Sequence, residues 1–319
     1  MHSQAAQAAA EFARHTENIE PAIETHAGMS HQTPNDEIAI MNSVSHATRP
    51  ARCFHFISGL PRSGSTLLAA LLRQNPRFHA DMSSPVAGLV NSLLGDMSER
   101  NEFSMFIDDK KRKSILTHVV SGYYEDRTAE VVFDTNRSWC AKMGLINSLF
   151  PQAKVIACVR DITWIIDSFE RLIQRNSFSP SAIFNYRPDG TIYSRAEILT
   201  GNDGMVGYAY NALKEACYGD YTGNLMLLQY ETLANHPARA MDAVYSFIGE
   251  PAFAHDFEHI QFDASEYDLK AGTPGLHDVR AMVGYTERKT IVPPDLVKRY
   301  EDSAFWRAPF LNIRKVHIV

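Results

Sequence analysis

The chain has 319 residues, of which 45% are apolar and 21% charged, close to an average soluble globular protein. That composition excludes a wholly disordered, collagenous or coiled-coil chain, and the length suits two domains or one large decorated one. The formal charge of −6 speaks against a general nucleic-acid binder, which normally carries a basic excess.

The charge is unevenly spread. No carboxylate occurs between Glu37 and Asp81, a stretch that holds Arg49, Arg52, Arg62, Arg73 and Arg77, so an anionic partner is expected there. No apolar run approaches the roughly 20 residues that span a bilayer. The N-terminus lacks the basic-then-apolar pattern of a secretory leader. Cys53, Cys140, Cys158 and Cys217 are widely spaced and form no CxxC pair, which points to free thiols, a cytoplasmic location and no structural zinc.

Residues 1–50 hold five of the thirteen histidines and a turn-like HATRP. They are expected to form a partly disordered N-terminal extension, and 51–319 a single domain. From Arg52 onward, strand and helix patterns alternate. Residues 53–57 form an apolar strand, and 65–74 (STLLAALLRQ) a helix stopped ahead of Pro76. Residues 129–133 are a strand, and 139–150 a helix ended by Pro151. Residues 154–159 (KVIACV) read as a strand buried on both faces, followed by a helix over 161–176. A helix over 205–218, a strand over 225–230 and a helix over 237–248 follow, the last with proline at its first position and Gly249 past its end. This order predicts an α/β fold, a P-loop-like central parallel sheet flanked by helices.

Between the first strand and its helix lies Gly59-Leu60-Pro61-Arg62-Ser63-Gly64-Ser65-Thr66. Two glycines allow a tight turn, the helix N-terminus adds partial positive charge, and Arg62, Ser63, Ser65 and Thr66 add donors. The glycine spacing is that of a P-loop, but Ser65 stands where a nucleotide triphosphatase needs lysine. The loop suits a phosphate but lacks the group that serves a triphosphate.

GLPRSGSTLL resembles the 5′-phosphosulfate loop of sulfotransferases that use 3′-phosphoadenosine 5′-phosphosulfate (PAPS). It is closest to the arginine-bearing loop of bacterial and tyrosylprotein sulfotransferases. That family pairs a strand-end arginine with a serine eight residues on, both for the nucleotide 3′-phosphate. Arg160 and Ser168 match it in spacing, and an arginine fork with a hydroxyl suits a phosphate dianion. The resemblance further implies that Tyr230, at a strand end, lies near the nucleotide. It implies too that residues 270–280, with Gly272 and Thr273, form a loop closing over it.

The resemblance implies sulfuryl transfer from PAPS, with PAP as product, to a hydroxyl or amine of a small-molecule acceptor. Arg62 and Arg137 are the expected catalytic cations, Arg137 standing where tyrosylprotein sulfotransferases have lysine. No metal is expected, because a sulfuryl group carries less charge than a phosphoryl group. The base is nominated as Asp81, with His79 and Asp134 as rivals. Ser83 occupies the place of that family's glutamate, which leaves a protein-tyrosine acceptor unsupported. No nucleic-acid or membrane partner is expected, and a homodimer stays open. So do two other readings, a non-catalytic PAP-binding protein and a P-loop kinase of a small metabolite. Segments 78–128 and 177–204 are expected on the acceptor side. Phe103, Phe106, Tyr123, Phe178, Phe184, Tyr186 and Tyr193 there are either acceptor contacts or local core. His255 and His259 share the spacing of zinc hydrolases, but without the required glutamate or an evident third ligand.

Overall fold

The computed structural model describes residues 52–178, 181–184, 187 and 189–319; the extension expected over 1–50 lies outside them. In chain order the elements are β1 (Cys53–Gly59), α1 (Ser65–Leu72), β2 (Phe78–Ala80), α2 (Val86–Asp96), α3 (Asp109–Tyr123), β3 (Val131–Thr135) and α4 (Met143–Leu149). Then come β4 (Val155–Val159), α5 (Ile162–Arg175), α6 (Ile192–Thr200), α7 (Met205–Tyr218), β5 (Leu225–Gln229), α8 (Tyr230–Asn235) and α9 (Pro237–Ile248). The chain ends with α10 (Ser265–Lys270), α11 (Pro294–Tyr300) and β6 (His317–Ile318).

The six strands form one sheet in the order β2-β3-β1-β4-β5-β6, with every pair parallel. Both faces are covered, which is why β4 and β5 read as continuous apolar runs. Along β4, Val155, Ala157 and Val159 face one core, with Trp139, Ile165, Phe169 and Leu213. Ile156 and Cys158 face the other, with Leu68, Leu71, Val244 and Tyr245. Successive strand residues point to opposite faces, so a five-residue run serves two cores.

Helix ends follow local chemistry. Pro237 opens α9 and Gly249 closes it at φ 76°. Asp108 accepts from the Lys111 N–H at the start of α3, and Thr191 and Ser194 form a reciprocal cap on α6. The helix expected over 139–150 is instead a 3-10 turn, Arg137–Lys142, leading into α4. Asn136 caps that turn through the Ser138 N–H, and the Trp139 indole donates to Asp134 at 2.6 Å. These two bonds bend the entry to the helix.

The chain leaves β1 towards β3 and β2, then crosses back to β4, β5 and β6. The strand order therefore reverses beside β1, where doubly wound sheets open a ligand crevice at their carboxyl ends. Register aligns those ends: Ile57 lies against Thr135, Gly59 against Cys158, and Val159 against Gln229. The turns after β1, β3, β4 and β5 thus emerge along one edge.

Candidate active site

Along that edge lies a cleft of about 740 Å³. Small-molecule sites span roughly 300–1,000 Å³. The turn after β1 forms its floor. Gly59 has φ 99°, and a Cβ there would sit 2.2 Å from the Cys158 carbonyl oxygen. Arg62 is left-handed at φ 58° and Gly64 at φ 93°. These three left-handed residues fold the chain back so that α1 begins at the cleft, and no side chain caps its first turn. Its free N–H groups and dipole form a standing anion site. Ser65 and Thr66 line the cleft, whereas Ser63 is buried and donates to the Pro61 carbonyl at 3.3 Å.

Seven arginines reach the wall, against the single carboxylate of Asp278. The Arg62 Nε donates to Ser168 Oγ at 3.0 Å. Arg160, at the end of β4, is buried with its guanidinium stacked 4.0 Å from the Tyr230 ring centroid. One of its terminal nitrogens reaches the Arg62 carbonyl at 3.5 Å, and its Nε is buried with no partner among the described residues. Arg137 is exposed on the same wall, and its carbonyl accepts from the buried Ser58 hydroxyl at 3.1 Å. Arg62, Arg160, Ser168 and Tyr230, 168 residues apart at the extremes, line one cleft because β1, β4 and β5 are neighbours.

The electrostatics are those of unmatched positive charge. Burial, and then the neighbouring Arg160 charge, push the Arg62 guanidinium down to about 10, partly opposed by Asp268 and Asp278. Burial also lowers Arg160, as does Arg288, against the opposing pull of Tyr230 and Glu231. Partial desolvation lowers the Arg137 guanidinium too, although the residue keeps contact with solvent. All three stay cationic at neutral pH, and a bound anion would relieve the repulsion.

The C-terminal third supplies the rest of the wall. Thr273 and Gly275 line the cleft, while Gly272, at φ 66°, sits behind the wall. Thr273 Oγ1 lies 2.8 Å from Ser181 Oγ. Asp167, buried on α5, holds a later stretch: it accepts from Arg288, from the Ile291 N–H at 3.0 Å, and from Arg171 of its own helix at 3.1 Å.

The nominated bases stand elsewhere. Asp81 does not reach the cleft wall, and its Oδ1 accepts from the Met82 N–H at 2.8 Å. Asp134 is buried and saturated by Ser84, Tyr124 and Trp139 at 2.5, 2.6 and 2.6 Å. Burial raises its carboxyl while these three donors pull it down. His79 packs on Tyr124 at 5.4 Å, and burial lowers its imidazole. Sequence reasoning passed over His277, which lines the cleft with Nδ1 2.5 Å from the buried Asp268 carboxylate. It is one of thirteen histidines, and its partner lies nine residues upstream, so no spacing rule singles it out.

Of the two expected acceptor-side segments, Met82, Ser83 and Ile183 reach the wall. None of the candidate aromatics that are described does so. Phe184 is core against Phe169, Phe103, Phe106 and Phe178 are exposed, and Tyr186 lies outside the described residues. His255 and His259 lie in an irregular loop, bonded to Gln74 and Asp256. Among the described residues no cluster of His, Cys, Asp and Glu could hold a metal. No helix there is long and apolar enough to cross a membrane.

The chain is similar to several solved structures. One is a sulfotransferase domain from the curacin biosynthetic pathway, 16% identical, covering 80% of this chain and 92% of that one, with a TM-score of 0.47. Another is the sulfotransferase domain of the Synechococcus PCC 7002 olefin synthase, 16% identical over 80% and 90%, TM-score 0.38. A third, a sulfotransferase from Mycobacterium avium, is 13% identical over 69% and 68%, TM-score 0.36. The family model described as "Sulfotransferase family" matches residues 55–255, which include the loop after β1, Arg137, Arg160, Ser168 and Tyr230. With most of its length matched, this chain belongs to the sulfotransferase family, whose general chemistry is sulfuryl transfer.

Proposed function

We propose that the donor is PAPS and that the acceptor is a hydroxyl, or an amine, of a small molecule. The observation that supports the donor assignment is a cleft holding both the uncapped start of α1 and a basic cluster, in which Arg62 bonds Ser168 and the buried, under-partnered Arg160 reaches the Arg62 carbonyl. PAPS has two anionic ends, at its 5′-phosphosulfate and its 3′-phosphate, and fits that division. A triphosphate has one.

In this reading the turn from Gly59 to Thr66 and Arg62 hold the phosphosulfate. Arg160 and Ser168 hold the 3′-phosphate, while Tyr230 and Thr273 flank the nucleoside. When bound, the donor supplies an activated sulfuryl group. The chain supplies position and charge. Arg62 and Arg137 neutralise the phosphate oxygen that departs, the task for which phosphoryl-transfer sites use arginine or metal clamps. Fixed dipoles and cations in a shielded cleft need no reorganisation during the reaction.

Met82, Ile183, Met205 and Leu276 give the cleft an apolar stretch of wall, which suits a small organic acceptor. Basic charge gathers in the cleft of a net-acidic chain, which favours a small anionic ligand over nucleic acid. A melting experiment tests the donor. Millimolar PAP is expected to raise the melting temperature by several degrees and ATP–magnesium by much less. No shift with PAP, or a larger one with ATP–magnesium, would overturn the assignment.

A further inference from the structure

We propose that His277, oriented by Asp268, is the general base that takes the proton of the acceptor hydroxyl. The proposal rests on the sulfuryl-transfer reading above and supplies the group that reading lacks.

The dyad is built for one protonation pattern. Asp268 is 1% exposed, and both its oxygens are committed to His277. Oδ2 accepts the His277 backbone N–H at 2.8 Å and Oδ1 faces ring Nδ1 at 2.5 Å. A carboxylate only accepts, so the proton sits on Nδ1 and the neutral ring carries its lone pair on Nε2. Among the described residues no hydrogen bond engages Nε2, and His277 lies on the cleft wall. Tyr267 packs edge-on against the ring at 5.5 Å, which fixes its plane. A ring held by a carboxylate at one nitrogen and free at the other is the arrangement by which triads hold a base.

Its place is also right. The charge on Arg62 responds to Asp268 and Asp278, and that on Arg137 responds to Tyr267. His277, Tyr267 and both cations line the same cleft. Asp268 and Tyr267 from α10 contact the ring, Asp278 is its neighbour in the chain, and Arg62 and Arg137 line the same cleft. The other candidates are excluded by geometry, since Asp81 and His79 lie off the wall and Asp134 is saturated.

In the step, the acceptor oxygen forms a bond to sulfur while the bond from sulfur to the 5′-phosphate oxygen breaks. The departing electron pair stays on that phosphate, beside Arg62. The acceptor proton passes to His277 Nε2, and the imidazolium is stabilised by Asp268. Asp268 touches no reacting atom and is a positioning residue.

The test combines three measurements on wild type, His277→Asn, His277→Ala and Asp268→Asn. They are PAP affinity, transfer of labelled sulfate from PAPS to 4-nitrophenol and to water, and the ring nitrogen signals of His277 by NMR. His277→Asn keeps an N–H for Asp268, so it guards against a folding defect in the alanine variant. The expected result is a fall in kcat of about 10²- to 10⁴-fold for both His277 variants, with PAP affinity within about threefold of wild type. The wild-type ring should be protonated at Nδ1 and bare at Nε2, and Asp268→Asn should scramble that pattern while lowering kcat. Variants that transfer as fast as wild type, or a ring protonated at Nε2, overturn the proposal alone. A wild type that neither binds PAP nor releases sulfate overturns the sulfuryl-transfer reading, and this proposal with it.

Discussion

Gly59 sets how closely β1 and β4 run at the floor of the cleft. With its φ of 99° and a Cβ position 2.2 Å from a backbone oxygen, Gly59→Ala is expected to cost about 3 kcal/mol or more by urea denaturation. Gly223→Ala, where a Cβ meets nothing within 4 Å, should change stability by no more than about 0.5 kcal/mol. His55, buried in β1, carries a second residue-scale effect. Burial, reinforced by Lys154, pushes its imidazole down to about 4, and Nδ1 accepts the Lys154 N–H at 3.0 Å. Because the folded value is depressed, the unfolded chain takes up this proton first as pH falls. The stabilisation is complete above about pH 6.5 and is lost on descent to about pH 4, roughly 3 kcal/mol in all. His55→Asn keeps an acceptor but does not titrate, so its stability should fall less across that window. Parallel curves for the two proteins would refute the assignment.

A buried carboxylate of α5 holds the stretch 288–291. Asp167 gathers Arg171, Arg288, Thr290 and the Ile291 N–H, joining the stretch that follows the cleft-lining residues to the helix that carries Ser168. Asp167→Ala should cost roughly 2–4 kcal/mol, since it strands two guanidinium groups. It should also speed hydrogen exchange at residues 286–291 and weaken PAP binding; unchanged exchange would mean that the segment is held by other contacts. The elements that sequence revealed were those with long periodic signals. α7 and α9 span Met205–Tyr218 and Pro237–Ile248, the expected limits, and the strand–helix alternation identified the parallel sheet. β2 and β6, of three and two residues, are too short to show a period, and Phe78–Ala80 falls within the segment 78–128 expected on the acceptor side. The turn after β1, and Arg160 with Ser168, stand out in the sequence as cleft-lining residues because each lies within a short stretch. The Asp167 anchor and the Asp268–His277 pair do not stand out, because they depend on where a loop without regular structure settles.

At the scale of the whole molecule, the cleft concentrates seven arginines against one carboxylate in a chain whose net charge is −6. Electrostatic focusing of this kind raises the capture rate of small anions and weakens with salt. The PAP association rate should therefore drop several-fold between about 50 and 500 mM salt, as stopped-flow fluorescence would show; a flat response would count against charge-led capture. The central claim is that one cleft holds two anionic ends of a single nucleotide, and titration calorimetry with PAP and adenosine 5′-monophosphate tests it most directly. Removing the 3′-phosphate should cost wild type about 100-fold in affinity, some 3 kcal/mol for the charge-assisted bonds of Arg160 and Ser168. In Arg160→Ala the two nucleotides should bind within a few-fold of each other. Equal affinity of wild type for both nucleotides, or a preference for PAP that survives in Arg160→Ala, would contradict it.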